Sequence, residues 1–283
     1  MNFNCFFPAS SSSSSIEVKQ VRKANRLIIR SFLAMICLFP YAANAQATKG
    51  LPEAEIKGRE LARQLCESGP AENYTNTGVM QIRDESGNRT NLPITIEVNV
   101  TQTNWWSRYV VKAGDNGNEI TTLTVTHRFG HPNQYSAFEK DQKASLGGLA
   151  SFQIRTGESG NWTMIPFANS DFWLSDLGLE FFHWPDQKVL PKTTNLKRGR
   201  SYTLLESTNP EPDTNGYSRV VSWIDQETGG ILEAEAYDTH GKLLKVFEPK
   251  SFKKVNGQWE LQEMEIRNVQ TGSRTRLEFD LKK

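Results

Sequence analysis

Two histidines have a spacing that could bind a metal ion. His127 and His131 are four residues apart, and on one face of a helix that spacing would let both imidazoles reach the same ion. They lie, however, in a stretch typical of a β-strand, where each residue advances about 3.3 Å, so the two rings are separated unless Gly130 folds the chain back. We therefore predict histidines at a strand edge or turn, and no metal site.

Other catalytic signatures are incomplete. The run Gly157-Glu158-Ser159-Gly160 is one residue short of a nucleophile elbow, and the sequence has no phosphate-binding glycine-rich loop and no zinc-protease helix motif. At 23% charged residues, carboxylate pairs are frequent and none is singled out for acid–base chemistry. We predict a protein that is not an enzyme, with no catalytic residue and no cofactor. The alternative, a hydrolase, requires His127, His131, His183 or His240 to converge with acids.

The first 45 residues have the order of a secretory signal peptide. Basic residues precede an apolar run at residues 31–43, and Ala43-Asn44-Ala45 supplies the small residues needed for cleavage. The apolar run is too short to span a bilayer comfortably, and Cys37 follows two bulky residues that do not suit a lipid-modifying peptidase. We predict cleavage near Ala45 and a soluble periplasmic protein. An uncleaved N-terminal anchor is the alternative, and translation starting nearer Val21 would also leave a complete signal.

Composition indicates that the remainder, residues 46–283, is one soluble domain. The chain carries 33 Lys+Arg and 32 Asp+Glu, which does not favour a nucleic-acid binder, and its mean hydropathy of −0.55 excludes a multi-span membrane protein. Once Cys5 and Cys37 leave with the signal, only Cys66 remains. No intrachain disulfide can then form, so the fold depends on its apolar core.

A helix followed by many short strands is the predicted architecture. Residues 52–68 repeat small and apolar side chains at helical spacing, whereas Ile94, Ile96, Val98 and Val100 alternate with polar residues, as in a strand with one buried face. Similar alternation, separated by turn signals, predicts about ten antiparallel strands in sequence order. They are placed near residues 74–84, 94–101, 105–113, 119–129, 151–155, 200–206, 217–225, 232–237, 242–252, 258–268 and 277–281. Because neighbouring strands twist by roughly 20–25°, a meander this wide curls into a barrel, a half-barrel or two packed sheets.

Residues 167–184 form an irregular apolar segment that can cover such a sheet together with the N-terminal helix. The segment is rich in aromatic residues, yet the spacing of Asp171 and Asp176 suits short helical turns, in which both carboxylates accept backbone N–H groups. Two interpretations stay open. The segment is either a plug of the core or an aromatic-lined element that closes a cavity.

The C-terminal half of the chain resembles the bacterial outer-membrane lipoprotein-sorting protein family. The resemblance is carried, in order, by Ser170-Asp171-Phe172, Asp176-Leu177, Phe181-Phe182-His183-Trp184, Arg198-Gly199-Arg200-Ser201-Tyr202, residues 217–225 (YSRVVSWID), 236–242 (AYDTHGK), 264–268 (MEIRN) and 274–277 (RTRL). It implies an open antiparallel half-barrel, lidded by helices, with a hydrophobic cavity that shields acyl chains in transit between membranes. The partners it implies are an acylated lipoprotein or lipid, an inner-membrane exporter and an outer-membrane acceptor.

The function we predict from these observations is that of a periplasmic carrier of lipoproteins or lipids. Burial of an acyl chain contributes roughly 0.8 kcal/mol per CH₂, so a carrier needs an apolar trough and almost no catalytic chemistry. The alternative is an envelope protein on the same fold that binds a peptide, a glycan or a protein. The candidate cavity-lining residues are Phe172, Trp173, Leu177, Phe181, Phe182, Trp184, Trp105 and Trp106.

Overall fold

The computed structural model describes residues 52–113, 118–141, 151–255 and 258–281, and the predicted signal peptide lies outside this part of the chain. Helix α1 (Glu53–Glu67) begins it. The strands are β1 (Tyr74–Arg83), β2 (Arg89–Val100), β3 (Asn104–Ala113), β4 (Asn118–Arg128), β5 (Gln134–Asp141), β6 (Ser151–Glu158), β7 (Asp186–Leu190), β8 (Tyr202–Thr208), β9 (Arg219–Asp225), β10 (Ile231–Tyr237), β11 (Leu243–Val255), β12 (Gln258–Asn268) and β13 (Arg274–Phe279). A four-residue helix, α2 (Leu174–Leu177), and a 3₁₀ turn at Glu180–His183 lie between β6 and β7.

All thirteen strands join one antiparallel sheet. Its order is β6-β5-β4-β3-β2-β1-β13-β12-β11-β10-β9-β8-β7, a meander in which the first and last strands pair in the middle. The edge strands β6 and β7 do not pair with each other, so the sheet is open. The prediction of an open, mainly β fold with a large antiparallel sheet is confirmed.

The predicted count of about ten strands is wrong, and β5 and β7 are the two strands outside the predicted set. Among the residues of β5 whose side chains are described, Tyr135 and Ala137 are the two that pack on the core, which is too short an alternation to stand out in the sequence. In β7 the buried residue is Gln187, whose amide donates to the carbonyl oxygens of Phe181 and Trp184 at 2.9 and 2.8 Å. A strand with a polar side chain in its inward position does not show the apolar alternation that predicts a strand.

The connection from β6 to β7, residues 159–185, joins opposite edges of the sheet and therefore crosses one face of it. It contacts β3 through Tyr109, β11 through Lys245 and β13 through Thr275. We call the face that carries these three side chains the inner face. One apolar core unites residues of the inner face with residues of the crossing segment, so the connection is packed on the sheet as its cover.

Helix α1 lies over β7, next to the 3₁₀ turn, and is amphipathic as predicted. Its buried positions are Gly58, Ala62 and Leu65. At Gly58 the helix touches the backbone of β7, because a Cβ atom there would lie 2.5 Å from the backbone nitrogen of Lys188. Only glycine permits this approach without a shift of the helix.

Candidate functional site

Residues 167–184, which we call the lid, are the candidate functional element, and they cross the inner face in short turns. Ala168, Asn169 and Leu179 adopt left-handed backbone conformations, with φ of 50°, 56° and 50°, and these break the segment into pieces. The backbone N–H of Trp173 donates to Asp176 Oδ2 at 2.8 Å, which fixes the start of α2 as predicted.

The prediction that the Asp171 carboxylate accepts backbone N–H groups of a helical turn is wrong. Its carboxylate accepts hydrogen bonds from the hydroxyl groups of Ser273 and Thr275, at 2.5 and 2.9 Å, and not from a backbone N–H of a helical turn. Its own backbone N–H donates to Thr275 Oγ1 at 2.9 Å. Asp171 therefore ties the lid to β13, a long-range contact that short-range spacing does not reveal.

The predicted lining residues of the lid pack downward onto the sheet. Phe172, Leu177, Phe181, Phe182 and Trp184 are all buried in the main apolar core. Trp173 is half-buried, and its ring stacks on that of Tyr217 with centroids 4.4 Å apart. The structure thus places five of the six predicted lid residues in the main apolar core and packs the sixth, Trp173, against it.

The two tryptophans of β3 lie on opposite faces of the sheet. Trp105 is buried in the main core, where it stacks on His127 with ring centroids 3.6 Å apart. Trp106 is half-buried, and because side chains alternate along a strand it lies on the opposite face. Burial lowers the pKa of His127 well below its usual value, so this imidazole is neutral and serves as packing for Trp105.

A small cavity lies beneath the lid. Its volume is about 30 Å³, and most of its lining is apolar, from β9 to β12 and from the lid residues Leu179 and Phe181. A water molecule needs roughly 10–15 Å³ of such space, whereas sites for ligands of drug size are about 300–1,000 Å³. With the lid in this position this cavity is too small for an acyl chain.

Three polar side chains face this apolar cavity: Asp176, Tyr217 and Lys245. The Lys245 ammonium donates to the backbone oxygen of Asp171 at 2.7 Å and lies 3.6 Å from Asp176 Oδ2. It also sits over the ring of Trp173, with Nζ 3.5 Å from the centroid. The Tyr217 hydroxyl donates to Asp176 Oδ1 at 2.9 Å.

Burial disfavours the charged form of both partners in this pair. It raises the pKa of Asp176 and lowers the pKa of Lys245 to about 8, even though the opposite charge of each partner counteracts the effect. The lysine is therefore still mostly protonated near neutral pH. Removing one partner of an ion pair enclosed by apolar side chains leaves the other charge buried without compensation, which is strongly destabilising.

A second group of polar contacts holds the other half of the lid. The Tyr109 hydroxyl donates to the backbone oxygen of Leu177 at 3.2 Å, and the Asn133 amide donates to that of Gly178 at 2.8 Å. The Thr163 hydroxyl donates to the carboxylate of the buried Glu180. Burial raises the pKa of Glu180 to about 7, so a proton on this carboxylate stabilises the closed arrangement.

An open cleft of about 340 Å³ lies at the end of the lid, where α1 meets the β4–β5 turn and the 3₁₀ turn. Phe182 and Trp184 form part of its lining, and Arg59, His131 and His183 add polar groups. Burial lowers the pKa of His183 to about 4, so its imidazole is neutral at pH 7. The volume falls in the range of small-molecule sites. The 3₁₀ turn therefore lies between this cleft and the small apolar cavity.

Two features are absent from the described residues, a cluster of metal ligands and a membrane-spanning helix. In this part of the chain no three His, Cys, Asp or Glu side chains are grouped as metal ligands. Across the same residues no helix combines the length and the hydrophobicity needed to cross a bilayer.

Lys245 and Tyr217 are site residues that the sequence analysis does not single out. Lys245 occupies an inward position of β11, two residues before the buried Phe247. A lysine within the apolar face of a predicted strand is the signal that could have identified it. No local pattern marks Tyr217, which precedes β9 and reaches the lid only in the folded protein.

Comparison with known proteins supports the fold. A family model described as an uncharacterized protein matches residues 158–282, and no curated protein matches. A DUF1329 family protein from Desulfovibrio piger is 19% identical, with a TM-score of 0.61, covering 81% of this chain and 92% of its own. An outer membrane lipoprotein-sorting protein domain from Vibrio parahaemolyticus is 20% identical, with a TM-score of 0.62 and coverages of 80% and 92%. A LolA superfamily protein from Nitrosomonas europaea is 12% identical, with a TM-score of 0.53 and coverages of 81% and 93%.

These solved structures agree with the resemblance seen in the C-terminal half of the sequence. At identities of 20% and below, what they share with this chain is the architecture. The chain has the fold of the lipoprotein-sorting and LolA superfamily structures, an open antiparallel half-barrel.

Proposed function

We propose that this protein is an exported, non-catalytic carrier that holds acyl chains of lipids or lipoproteins against the inner face of its half-barrel. The proposal includes cleavage of the signal peptide near Ala45 and a periplasmic location. It also includes transfer of cargo from an inner-membrane exporter to an outer-membrane acceptor, as the family resemblance implies. The neighbouring structures support the architecture that such a carrier needs.

The arrangement of the 3₁₀ turn is the observation that carries the proposal. On one side of it Phe181 faces the small apolar cavity, and on the other side Phe182 and Trp184 face the larger cleft. Residues 180–183 pair with no strand, so they can move without breaking the sheet. Displacement of this turn would join the cleft to the apolar inner face and open a trough with an entrance to solvent.

The gain from binding is the burial of apolar surface that the displaced lid uncovers. The inner-face residues around the cavity include Val220, Ile231, Phe247 and Ile266, all nearly inaccessible to water. An acyl chain in contact with them regains the hydrophobic free energy lost when the lid leaves, at roughly 0.8 kcal/mol per CH₂. Ligand and lid therefore compete for the same apolar surface.

Native mass spectrometry of the exported protein, purified without detergent and followed by lipid extraction, tests the proposal. We expect copurified or added phospholipid or acylated protein to bind. Trp184→Asp places a charge at the junction of lid and cleft and should abolish this binding. Trp259→Asp is the matched control, because Trp259 is 57% exposed and lies on β12, outside both spaces.

An unliganded mass that does not change on addition of lipid would refute the carrier proposal. In that case the envelope-binding alternative would gain weight, and its ligand should be sought on the opposite face. There a second apolar cluster, formed by Tyr202, Leu204 and Val221, is bordered by the half-buried Trp223 and Tyr237.

A further inference from the structure

Lys245 is a buried charge in a place where a lipid carrier has little use for one. Its side chain is only 3% exposed, and apolar groups make up most of the cavity that it faces. Burial of an ammonium group without partners costs free energy, so a charged lysine at this position depends on the groups that pair with it.

Within the described residues, the hydrogen-bond and ion-pair partners of Lys245 belong to the lid. They are the backbone oxygen of Asp171 and the carboxylate of Asp176. The nearer aromatic ring, that of Trp173, is also part of the lid. The ring of Tyr217 lies 5.3 Å away and supplies no hydrogen bond to the ammonium. The sheet contributes the lysine, and the lid contributes the negative charge.

Movement of the lid would therefore leave an ammonium group without its counter-ion on the floor of an apolar trough. Phe247 and Ile266, two neighbours across the β11–β12 ladder, form part of that floor. A neutral chain cannot replace the lost ion pair, whereas a carboxylate or phosphate supplies the opposite charge and accepts a charge-assisted hydrogen bond from the ammonium.

We propose that Lys245 binds the anionic head group of an amphiphile whose apolar chain lies on the inner face. The inference rests on the carrier function proposed above and adds a ligand class to it: acyl compounds with a carboxylate or phosphate head in preference to those with an uncharged head. Asp176 then acts as a built-in competitor, since it occupies the position of the head group while the lid is closed.

Isothermal titration calorimetry with defined probes tests this assignment. The exported protein is titrated below the critical micelle concentration with dodecyl phosphate, with dodecanoate and with dodecyl maltoside, which share one chain length. We expect both anions to bind at least about tenfold more tightly than the maltoside, the typical effect of a hydrogen bond to a charged group. Inorganic phosphate, tested alone, should bind far more weakly because it lacks the chain.

Three variants locate the effect. Lys245→Met should abolish the preference for anions while the maltoside still binds. Asp176→Asn should strengthen binding of the anions more than that of the maltoside, because loss of the ion pair weakens the closed lid for every amphiphile and frees Lys245 for the anions alone. The double variant Lys245→Met/Asp176→Asn removes both charges and so avoids an unpaired buried carboxylate, and it should also show no preference. Lys250→Met is the matched control, since Lys250 lies on the same strand but pairs with Glu248 and Glu265.

The outcomes separate this inference from the carrier function. Equal binding of all three amphiphiles, or a preference that persists in the double variant, would overturn the role of Lys245 and leave the carrier function intact. Inorganic phosphate binding as tightly as dodecyl phosphate would show that the site takes a free anion, which also overturns the inference. Failure of every amphiphile to bind would overturn both proposals.

Discussion

At the scale of single residues, buried titratable groups make the lid sensitive to its surroundings. Glu180, Asp176 and Lys245 each lie among apolar side chains, and each is satisfied by a small number of neighbours. Much of the remaining lid interface is apolar contact, which has no preferred partner atom and does not titrate. These few groups therefore determine which lid position is stable and at which pH.

We predict that Glu180 makes the protein less stable as the pH rises from about 5 to 8. Burial raises the pKa of its carboxyl from 4.5 to about 7, so in this interval the folded protein holds a proton that the unfolded chain releases. The free energy of unfolding should fall by up to about 3 kcal/mol from this group alone. Glu180→Gln lacks this titrating group. Its free energy of unfolding should therefore increase relative to that of the wild type as the pH rises.

Urea unfolding at several pH values checks this prediction. The difference between wild type and Glu180→Gln isolates the group from other titrations, such as that of His183. The exposed Glu278 provides the control, and Glu278→Gln should shift the curve by the same small amount at every pH. A constant difference between wild type and Glu180→Gln across pH 5–8 would contradict the prediction.

A second prediction concerns the pair of Lys245 and Asp176. Lys245→Met should destabilise the protein by about 3 kcal/mol, because it leaves a buried carboxylate without its counter-ion. The double variant with Asp176→Asn should recover most of this loss. Chemical denaturation of the four proteins gives the coupling energy of the pair. A double variant as unstable as the sum of the single variants would show that the two side chains act independently.

At the scale of elements, contacts between backbones position the cover of the half-barrel. Helix α1 rests on β7 at Gly58, and the 3₁₀ turn lies beside both. The lid in turn is attached to β3, β11 and β13 through Tyr109, Lys245 and Thr275. The cover thus has one tightly packed part, α1 on β7, and one part held by separate polar contacts, the lid.

We predict that Gly58→Ala destabilises the protein, which is the opposite of the usual effect in a helix. On helix propensity alone the substitution should stabilise by about 1 kcal/mol. Here the added Cβ would lie 2.5–2.6 Å from backbone atoms of Gln187 and Lys188, so α1 must move away from β7. We expect a loss of about 1–3 kcal/mol in thermal or urea unfolding. Gln64→Ala, at an exposed position of the same helix, should have little effect, and a higher Tm for Gly58→Ala would contradict the prediction.

At the scale of the whole molecule, the edge strands of the described sheet are not its first and last strands in the sequence. The last strand, β13, pairs with both β1 and β12 in the middle of the sheet, while β6 and β7 form its edges. Because β1 pairs with β13, the strands β6 and β7 lie at opposite edges of the sheet. Residues 159–185 connect these two strands and therefore cross the inner face. The position of the lid is therefore a consequence of strand order.

Hydrogen exchange measured by mass spectrometry should reflect this order. We predict that amides of β13 exchange as slowly as those of β12, although terminal segments usually fray. Amides of the edge strand β7 should exchange faster, because one side of that strand has no ladder partner. Exchange of β13 before β7 would contradict this topology.

Local chemistry in the sequence determined the antiparallel strands, helix α1 and the irregular character of the lid. Alternation and turn signals depend on residues two to four positions apart, and such neighbours can be seen in the sequence. The export signal also belongs to this class of inference and stays a prediction.

Only the tertiary structure decided the strand order, the burial of Gln187 in β7, the separation of Trp105 from Trp106, and the place of Lys245 beneath the lid. Each depends on contacts between distant positions, such as Thr77 with Asp280 or Lys245 with Asp171. The free energy of such contacts comes from burial and pairing in the assembled sheet, which no single segment contains.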